Sequence, residues 1–452
     1  MDVFETLAAL VSRFGALGAT RIFFKPLAEN DNSKQQVYLG GSFDVLTFFR
    51  HGTVHAEPGL KDPTFKAALD FHWVHPETVE KAAGAQLILY PRYPEVRLSG
   101  FLAGCRTAPN AHLRPIPKQD RKGVDGRVLF FGTTPDGRTL AHLAPSGSPL
   151  ACEALLAQHV DAGLFKELPL TGTTAGDSKS LLIQKLREIQ EMGPVPSMRL
   201  DRSGNRIPYK ARNGGGYTLE ALLGIRPNGD AAPDYLGWEI KAFSGNLITV
   251  MTPEPDGGFY GENGVGAFIR RHGRKVEGKD QMYFTGRHYV GKADRTTSMT
   301  LGLIGFDAAS GKITDVEGRI VLIDKEGSEG ASWSYSHLLT HWNRKHSSAA
   351  YVPYSSTTLE LPAYTYENPV LFGERTDFSR YLRALAVGQV VFDPGSKIDG
   401  AASERPKVKA RSQFRVSRKH VHALYEELTA VDVRPEQGAK NPVAGGLENF
   451  PK

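Results

Sequence analysis

Residues 234–241 hold two carboxylates and a lysine at a spacing suited to cutting phosphodiester bonds. Asp234, Glu239 and Lys241 follow the pattern P-D-x4-E-x-K. The surrounding residues 238–243, Trp-Glu-Ile-Lys-Ala-Phe, predict a strand, and side chains two apart on a strand share a face. We therefore expect Glu239 and Lys241 to point into the same cleft, with Asp234 in the turn that opens the strand.

The chemistry that these residues could perform is metal-dependent hydrolysis. Asp234, Glu239 and the backbone carbonyl of Ile240 offer the oxygen ligands that a hard divalent cation prefers. Such a cation would offset the charge that builds up on a scissile phosphate, while Lys241 would orient or help deprotonate the attacking water. The bare pattern also fits a surface strand with an ordinary ion pair. The surrounding sequence has to decide between the two interpretations.

The preceding residues 212–225 carry a glycine turn and a short helix, with leucines on one face and Glu220 beside them. Together with Pro-Asp and Glu-Ile-Lys, this stretch resembles the MvaI/BcnI restriction endonucleases. The resemblance implies a catalytic set of Glu220, Asp234, Glu239 and Lys241. It also implies Mg2+ as the cofactor, held by Asp234, Glu239 and Ile240.

The resemblance extends from near Ser178 to near Val431. Residues 247–253 are similar to the family's second core strand, residues 333–346 to its amphipathic helix, residues 350–354 to the next strand, and residues 414–416 with a following helix to its close. It implies an α/β restriction-endonuclease-like (PD-(D/E)xK) catalytic domain. The family's base-reading arginines and histidines have no counterparts in residues 390–397 and 404–415, so its target sequence is not transferred here.

Two basic clusters could contact the phosphates of a nucleic acid. Residues 404–415 alternate cations with small and polar residues, which suits an extended arm that follows phosphates or enters a groove; the alternative is a solvated charge run. A second cluster follows the core strands, and two more candidates lie at the end of the helix that begins near Trp333. The candidates in this half are Arg270, Arg271, Lys345, His346, Arg405, Lys407, Lys409, Arg411 and Arg415.

The N-terminal half is predicted to be a mainly-β domain. A helix is predicted over residues 4–14, followed by short aromatic and β-branched runs that predict a small barrel or sandwich. Residues 24–38 and 89–97 resemble the B3-like DNA-binding pseudobarrel domain of EcoRII-type enzymes, which implies two arms that grip the duplex. The side chains suited to phosphates or base edges are Lys25, Asn30, Asp31, Asn32, Lys34, Gln36, Arg92 and Arg97. A plain polar hairpin at residues 30–33 is the alternative.

Composition changes along the chain suggest its domain limits. We predict a B3-like domain over 1–167, a linker over 168–180, the nuclease domain over 181–433 and a disordered tail over 434–452. The 452 residues carry a net charge of +6, which favours an anionic partner. With two cysteines, no leader signature and no apolar run of membrane length, we expect a soluble cytoplasmic protein without membrane contact.

These features predict a type II-like restriction endonuclease that cuts double-stranded DNA site-specifically with Mg2+. The N-terminal domain would act as a recognition module or as an allosteric effector, and a cognate DNA methyltransferase acting on the same site is a further partner. Three alternatives stay open: a MutH-like nicking repair endonuclease, a modification-dependent DNA endonuclease, and a DNA-binding regulator with a remnant nuclease half.

Overall fold

The computed structural model describes residues 3–28, 36–59, 61–113, 119, 126–169, 175–211, 213–225, 235–345 and 348–434, with the side chains of 175–177 and 343–345 left aside. Several predicted residues lie outside these ranges: Asn30, Asp31, Asn32, Lys34, Asp234, His346 and all of the predicted tail after Arg434. Their predictions stay predictions.

The N-terminal half is mainly β, as predicted. Its helices are α1 (Leu7–Ala16), α2 (Asn110–Leu113) and α3 (Pro149–Leu156), with a 3-10 helix at Phe43–Thr47. Its strands are β1 (Arg21–Pro26), β2 (Gln36–Gly40), β3 (His51–Glu57), β4 (Thr64–Val74), β5 (Val79–Ala82), β6 (Gln86–Tyr90), β7 (Glu95–Ser99), β8 (Val128–Thr133), β9 (Arg138–Ala144), β10 (Val160–Ala162) and β11 (Phe165–Leu168).

These strands form one sheet in the order β10-β11-β1-β8-β9-β4-β6-β7-β2, with β3 and β5 also paired to β4. The 11-residue strand β4 joins the strands β10-β11-β1-β8-β9 to the strands β6-β7-β2. It pairs with β3, β5 and β6 antiparallel and with β9 parallel. Alternation decides the core on β7, where Val96 and Leu98 are buried and the residues between and beside them are partly exposed, whereas Leu87, Ile88 and Leu89 on β6 are all buried. The helix predicted over 4–14 starts later, where the Thr6 hydroxyl accepts from Ala9 N and caps α1.

The C-terminal half contains α4 (Ala175–Glu191), α5 (Gly214–Leu223), α6 (Gly258–His272), α7 (Tyr335–Lys345) and α8 (Phe378–Ala386), with a 3-10 helix at Arg418–Leu424. Its strands are β12 (Val195–Pro196), β13 (Met198–Leu200), β14 (Arg206–Pro208), β15 (Glu239–Phe243), β16 (Leu247–Met251), β17 (Arg274–Lys275), β18 (Gln281–Thr285), β19 (Thr300–Ile304), β20 (Phe306–Asp307), β21 (Lys312–Ile313), β22 (Arg319–Ile323), β23 (Glu329–Ser334), β24 (Ser348–Ser356), β25 (Ala363–Tyr366), β26 (Val370–Glu374), β27 (Val390–Phe392), β28 (Gly395–Asp399), β29 (Lys407–Lys409), β30 (Phe414–Ser417) and β31 (Glu427–Val431).

The sheet that positions the predicted catalytic strand runs β12-β25-β24-β26-β31, and β15 pairs with β24 in parallel. Smaller sheets surround it: β16-β30-β27, β17-β18-β28-β29 and β19-β22-β23, with hairpins β13-β14 and β20-β21. Helices α4 and α5 cover one face of the β15-β24 sheet through Leu182, Leu186, Leu219 and Leu222.

Two predicted boundaries in the C-terminal half also differ from the structure. The glycines predicted as a turn before α5 form its first turn instead, because the backbone approaches neighbouring rings there. A Cβ at Gly214 would lie 2.5 Å from the Tyr364 hydroxyl, so a larger residue would not fit. The helix predicted to begin near Trp333 begins at Tyr335, since Trp333 belongs to β23 and its indole donates to the Pro253 carbonyl (3.0 Å).

The two halves share a continuous hydrophobic core. One buried cluster includes Phe23 and Phe131 from the N-terminal half and Trp333 and Trp342 from the C-terminal half. Helix α7 packs against β3, and the Thr340 hydroxyl accepts from Val54 N (3.0 Å). A second polar link joins Phe43 N to the Asp377 carboxylate (2.9 Å). The N-terminal half is therefore fixed on the nuclease half by packing as well as by hydrogen bonds.

Candidate active site

Strand β15 places Glu239 and Lys241 on one face, as their spacing predicts. In the parallel register with β24, Glu239 lies beside Ala349, Ile240 beside Ala350 and Lys241 beside Tyr351. Ile240 points the other way, into the core under α4 and α5. A polar and an apolar face are thus separated by simple strand alternation.

Glu239 and Lys241 form an ion pair on this face, between Oε1 and Nζ. The glutamate side chain is only 2% exposed, whereas the lysine side chain is 21% exposed. A buried carboxylate needs compensation by a cation or by hydrogen bonds, because its loss of hydration is costly. The pair therefore sets a buried anionic ligand behind a cation that reaches solvent.

Glu220 lies on α5, the helix that packs against β15. Its half-buried side chain lies close enough to two tyrosines for its charge to act on them. Burial raises the pKa of Tyr217, and the nearby Tyr209 and Glu220 raise it further. Burial likewise raises the pKa of Tyr366, with Glu220 among the smaller causes. The structure thus places the predicted helix glutamate on the element next to the predicted catalytic strand β15.

The residues present suit a hard divalent cation. Glu239 supplies a carboxylate and Ile240 a backbone carbonyl on the same strand, and both are oxygen ligands. Within the described ranges, no three His, Cys, Asp or Glu side chains are grouped to hold a metal ion. The third predicted ligand, Asp234, belongs to the residues outside those ranges. The donors that can be placed fit the group, and the full ligand set stays a prediction.

The predicted basic clusters come together around one small sheet, β17-β18-β28-β29. The arm predicted as extended around residue 408 is strand β29, paired antiparallel with β28, so the sheet fixes this part of it. Arg270, in the last turn of α6, donates to the Ala401 carbonyl between β28 and β29 (2.9 Å). Helix α6 covers the buried side of the sheet, where Phe268 contacts Phe284 with ring centroids 4.6 Å apart.

The outer side of this sheet, which we call the basic face, carries most of its charge. Arg274, Tyr283, Lys397 and Lys409 share one register across the four strands, and directly opposite residues share a face. Gln281, Asp399 and Lys407 form the next register on the same side. Asp399 bonds with Lys397 (2.6 Å) and Gln281 (2.7 Å), whereas Lys407 and Lys409 are exposed.

The other predicted DNA contacts of the C-terminal half differ in how far their side chains are free to reach a phosphate. Arg405 and Arg411 are exposed. Arg415 is committed internally, because it pairs with Asp393 (2.7 Å) and donates to the Leu247 carbonyl (2.7 Å). Arg271 lies over the Phe259 ring, 4.6 Å from its centroid, and 4.0 Å from Asp324. Lys345 ends α7.

The N-terminal candidates differ in how much surface they offer to a phosphate. Lys25 is 5% exposed, so it offers little surface to a phosphate. Arg97 pairs with Glu95 (2.8 Å), lies over the Tyr90 ring and donates to Gln36 (3.4 Å). Arg92 has 72% of its side chain exposed and lies 4.0 Å from Asp62.

The predicted site residues do not include Lys397 and Asp399 on the basic face. They also do not include two tyrosines near Glu239. Alternation along β18 and β28 could have indicated the first pair, since buried Met282, Phe284 and Ile398 occupy the other positions. The tyrosines, Tyr351 and Tyr425, are brought together by packing between distant elements, which no local pattern reports.

The fold and the site together define a restriction-endonuclease-like nuclease domain: a parallel strand pair with a Glu-x-Lys face, covered by helices on its other side. A family model described as MvaI/BcnI restriction endonuclease family matches residues 183–425. The chain belongs to that family, which makes it a DNA endonuclease and confirms the resemblance of its C-terminal half to the MvaI/BcnI restriction endonucleases.

Two solved structures are also similar to this chain. The "Restriction endonuclease MvaI-cognate DNA substrate complex" is 19% identical, over 57% of this chain and 99% of that one, with a TM-score of 0.45. "Restriction endonuclease MvaI in the absence of DNA" is 15% identical, over 57% of this chain and 100% of that one, with a TM-score of 0.32. None of the curated proteins matches the chain. No helix in the described ranges is long and apolar enough to cross a membrane.

Proposed function

We propose that this protein cuts double-stranded DNA at specific sites and hydrolyses the phosphodiester bond with Mg2+. The observation that carries the proposal is the Glu239-Lys241 face of β15, where a buried carboxylate stands behind a partly exposed lysine. The family membership supplies DNA endonuclease activity, so DNA is the expected substrate of this face. Site specificity and the metal are the parts that need testing.

The residues of this chain would divide the work as follows. Glu239, the Ile240 carbonyl and Asp234 would hold the cation, and Glu220 would support it or an attached water. Bound Mg2+ would supply positive charge against the scissile phosphate. Lys241 would release Glu239 to the cation and place the attacking water, which displaces the leaving oxygen in line. The ion pair would hold the two groups side by side on β15.

The basic face and the neighbouring exposed Arg405 and Arg411 would hold the duplex. Cations on this sheet would contact phosphates, while Gln281 and Asp399 supply the hydrogen-bonding groups that read base edges. The mainly-β N-terminal half would act as a B3-like DNA-binding domain, with Gln36, Arg92 and Arg97 near the duplex. Its role would be recognition or allosteric control of the nuclease half.

The test is digestion of unmodified plasmid and phage DNA with Mg2+, followed by sequencing of the ends. Wild type should give discrete double-strand fragments, and Lys241→Ala should lose them. Lys185→Ala is the matched control, since that lysine pairs with Glu188 (2.8 Å) on the surface of α4. Equal cleavage by Lys241→Ala would refute the assigned chemistry.

The products also separate the competing activities. Nicked circles without linear DNA would favour a MutH-like repair nickase. Cleavage restricted to methylated substrate would favour a modification-dependent endonuclease. If DNA modified by a methyltransferase that acts on the same site resists cleavage, this would support a restriction-modification pair.

A further inference from the structure

A row of small residues leaves room beside Glu239. Across the sheet, Glu239 pairs in register with Ala349, and Ala349 pairs with Gly373 on β26. The ring of Tyr425 occupies this space: a Cβ at Gly373 would lie 2.5 Å from it. Glycine is required there because the ring rests directly on the strand, on the same face as Glu239.

A second tyrosine completes the wall. Tyr351 is the neighbour of Lys241 in the parallel register and lies on the same face. Its hydroxyl and that of Tyr425 are 2.9 Å apart, within hydrogen-bond distance. Both side chains are buried, at 0% and 2% exposed. Two hydroxyls from distant parts of the chain thus meet beside the buried glutamate.

The pair carries one more proton than its own hydrogen bond uses. A tyrosine hydroxyl keeps its proton at neutral pH, because its ordinary pKa is about 10. One O–H donates to the other oxygen. The second O–H is then left to donate to an acceptor on this face, and Glu239 is the carboxylate whose charge acts on both hydroxyls.

We propose that Tyr351 and Tyr425 are positioning residues that hold the Glu239 carboxylate, directly or through one water, in the orientation that binds the divalent cation. The inference rests on the proposed function, because it takes Glu239 as a metal ligand. Outer partners that orient a metal ligand commonly change metal affinity by about 10- to 100-fold when removed.

The experiment measures Mn2+ binding to the full chain by calorimetry, for wild type, Tyr351→Phe, Tyr425→Phe and the double variant. We expect the Mn2+ dissociation constant to rise about tenfold or more in the double variant. The single changes should not add, because each breaks the same pair. Tyr381→Phe is the control: Tyr381 is also fully buried, but in α8, and its hydroxyl has no hydrogen-bond partner within the described ranges. It should bind Mn2+ like wild type.

Thermal unfolding separates positioning from stability, and cleavage at saturating Mg2+ should recover in the phenylalanine variants. If the double variant does not fold, the single variants decide. Wild-type Mn2+ affinity in folded phenylalanine variants would overturn the inference, while loss of binding in Glu239→Ala would show that the proposed metal site stands. A wild-type protein that neither binds Mn2+ nor cuts DNA would overturn the proposed function and this inference with it.

Discussion

The basic face of the nuclease half and the Arg97 surface of the N-terminal half are both sheet faces that carry candidate DNA contacts, but their charges are balanced differently. On the basic face, Arg274, Lys397, Lys407 and Lys409 share the surface with one carboxylate, Asp399. In the N-terminal half, Arg97 has its own carboxylate, Glu95, at 2.8 Å.

The number of cations in a sequence therefore does not measure how many of them a surface can bring into contact with DNA phosphates. A guanidinium that is already paired, as in Arg97, gains little from a phosphate because it must give up its partner. Exposed lysines at the edge of a sheet release counterions on binding and give nothing up. We therefore expect the nuclease half to supply most of the phosphate affinity and the N-terminal half to supply less.

The largest effect on DNA affinity should come from the double change Lys407→Ala and Lys409→Ala. If each lysine contacts one phosphate, the slope of log affinity against log salt should fall by about 2, and affinity should fall about tenfold. Fluorescence anisotropy with a labelled duplex at several salt concentrations measures both. Lys185→Ala is the control, and an unchanged slope in the lysine variant would remove the basic face from the interface.

A smaller effect is expected from Arg92→Ala, whose side chain is 72% exposed. Its loss should lower the salt slope by about 1 at most. Anisotropy on the same duplex gives the value. A loss larger than that of the lysine pair would reverse the comparison between the two halves.

Arg97→Ala should change affinity least among the cations, because Glu95 already neutralises it. The complementary change, Glu95→Gln, should strengthen DNA binding by freeing the guanidinium. Both are checked in the same titration. A strong loss with Arg97→Ala together with no gain from Glu95→Gln would show that the ion pair itself contacts the DNA.

Asp44→Asn should leave DNA binding unchanged and stabilise the protein at neutral pH. Asp44 lies in the cleft between the halves, where burial raises its pKa and the charges of Asp377 and Glu426 raise it further. The cations facing the same cleft are Lys312, Arg375, Arg380 and Arg383.

The raised pKa of Asp44 determines how its contribution to stability changes with pH. Protonation of Asp44 stabilises the fold fully below its ordinary pKa of 3.8, and this contribution is lost as the pH rises through the raised value. The melting temperature of Asp44→Asn should therefore be higher than that of wild type at pH 7.5, and the difference should shrink toward pH 4. A difference that grows on acidification would contradict the assignment.

Local patterns were sufficient to predict the arrangement of residues on strand β15. Alternation alone predicts that Glu239 and Lys241 share a face, and the register of β15 on β24 places them so. The short strands of the N-terminal half were also predictable, because their buried residues alternate at Val96 and Leu98. These features depend on residues that are close in sequence.

Features that depend on distant contacts could not be predicted in this way. The glycines of α5 resembled a turn, since nothing nearby in the sequence reports the approach of Tyr364. Lys25 resembled a surface cation, but its side chain is only 5% exposed in the folded chain, and nothing nearby in the sequence reports that burial. The shared core between the halves depends in the same way on packing of α7 against β3.

The central claim is that Glu239 acts in cleavage and not in DNA binding. The most direct test measures single-turnover cleavage with Mg2+ and duplex affinity with Ca2+ on the same preparation of Glu239→Gln. We expect a loss of cleavage of about 1000-fold or more, since a metal ligand is removed, with duplex affinity close to that of wild type. Cleavage near the wild-type rate, or a loss explained by weaker DNA binding, would contradict it.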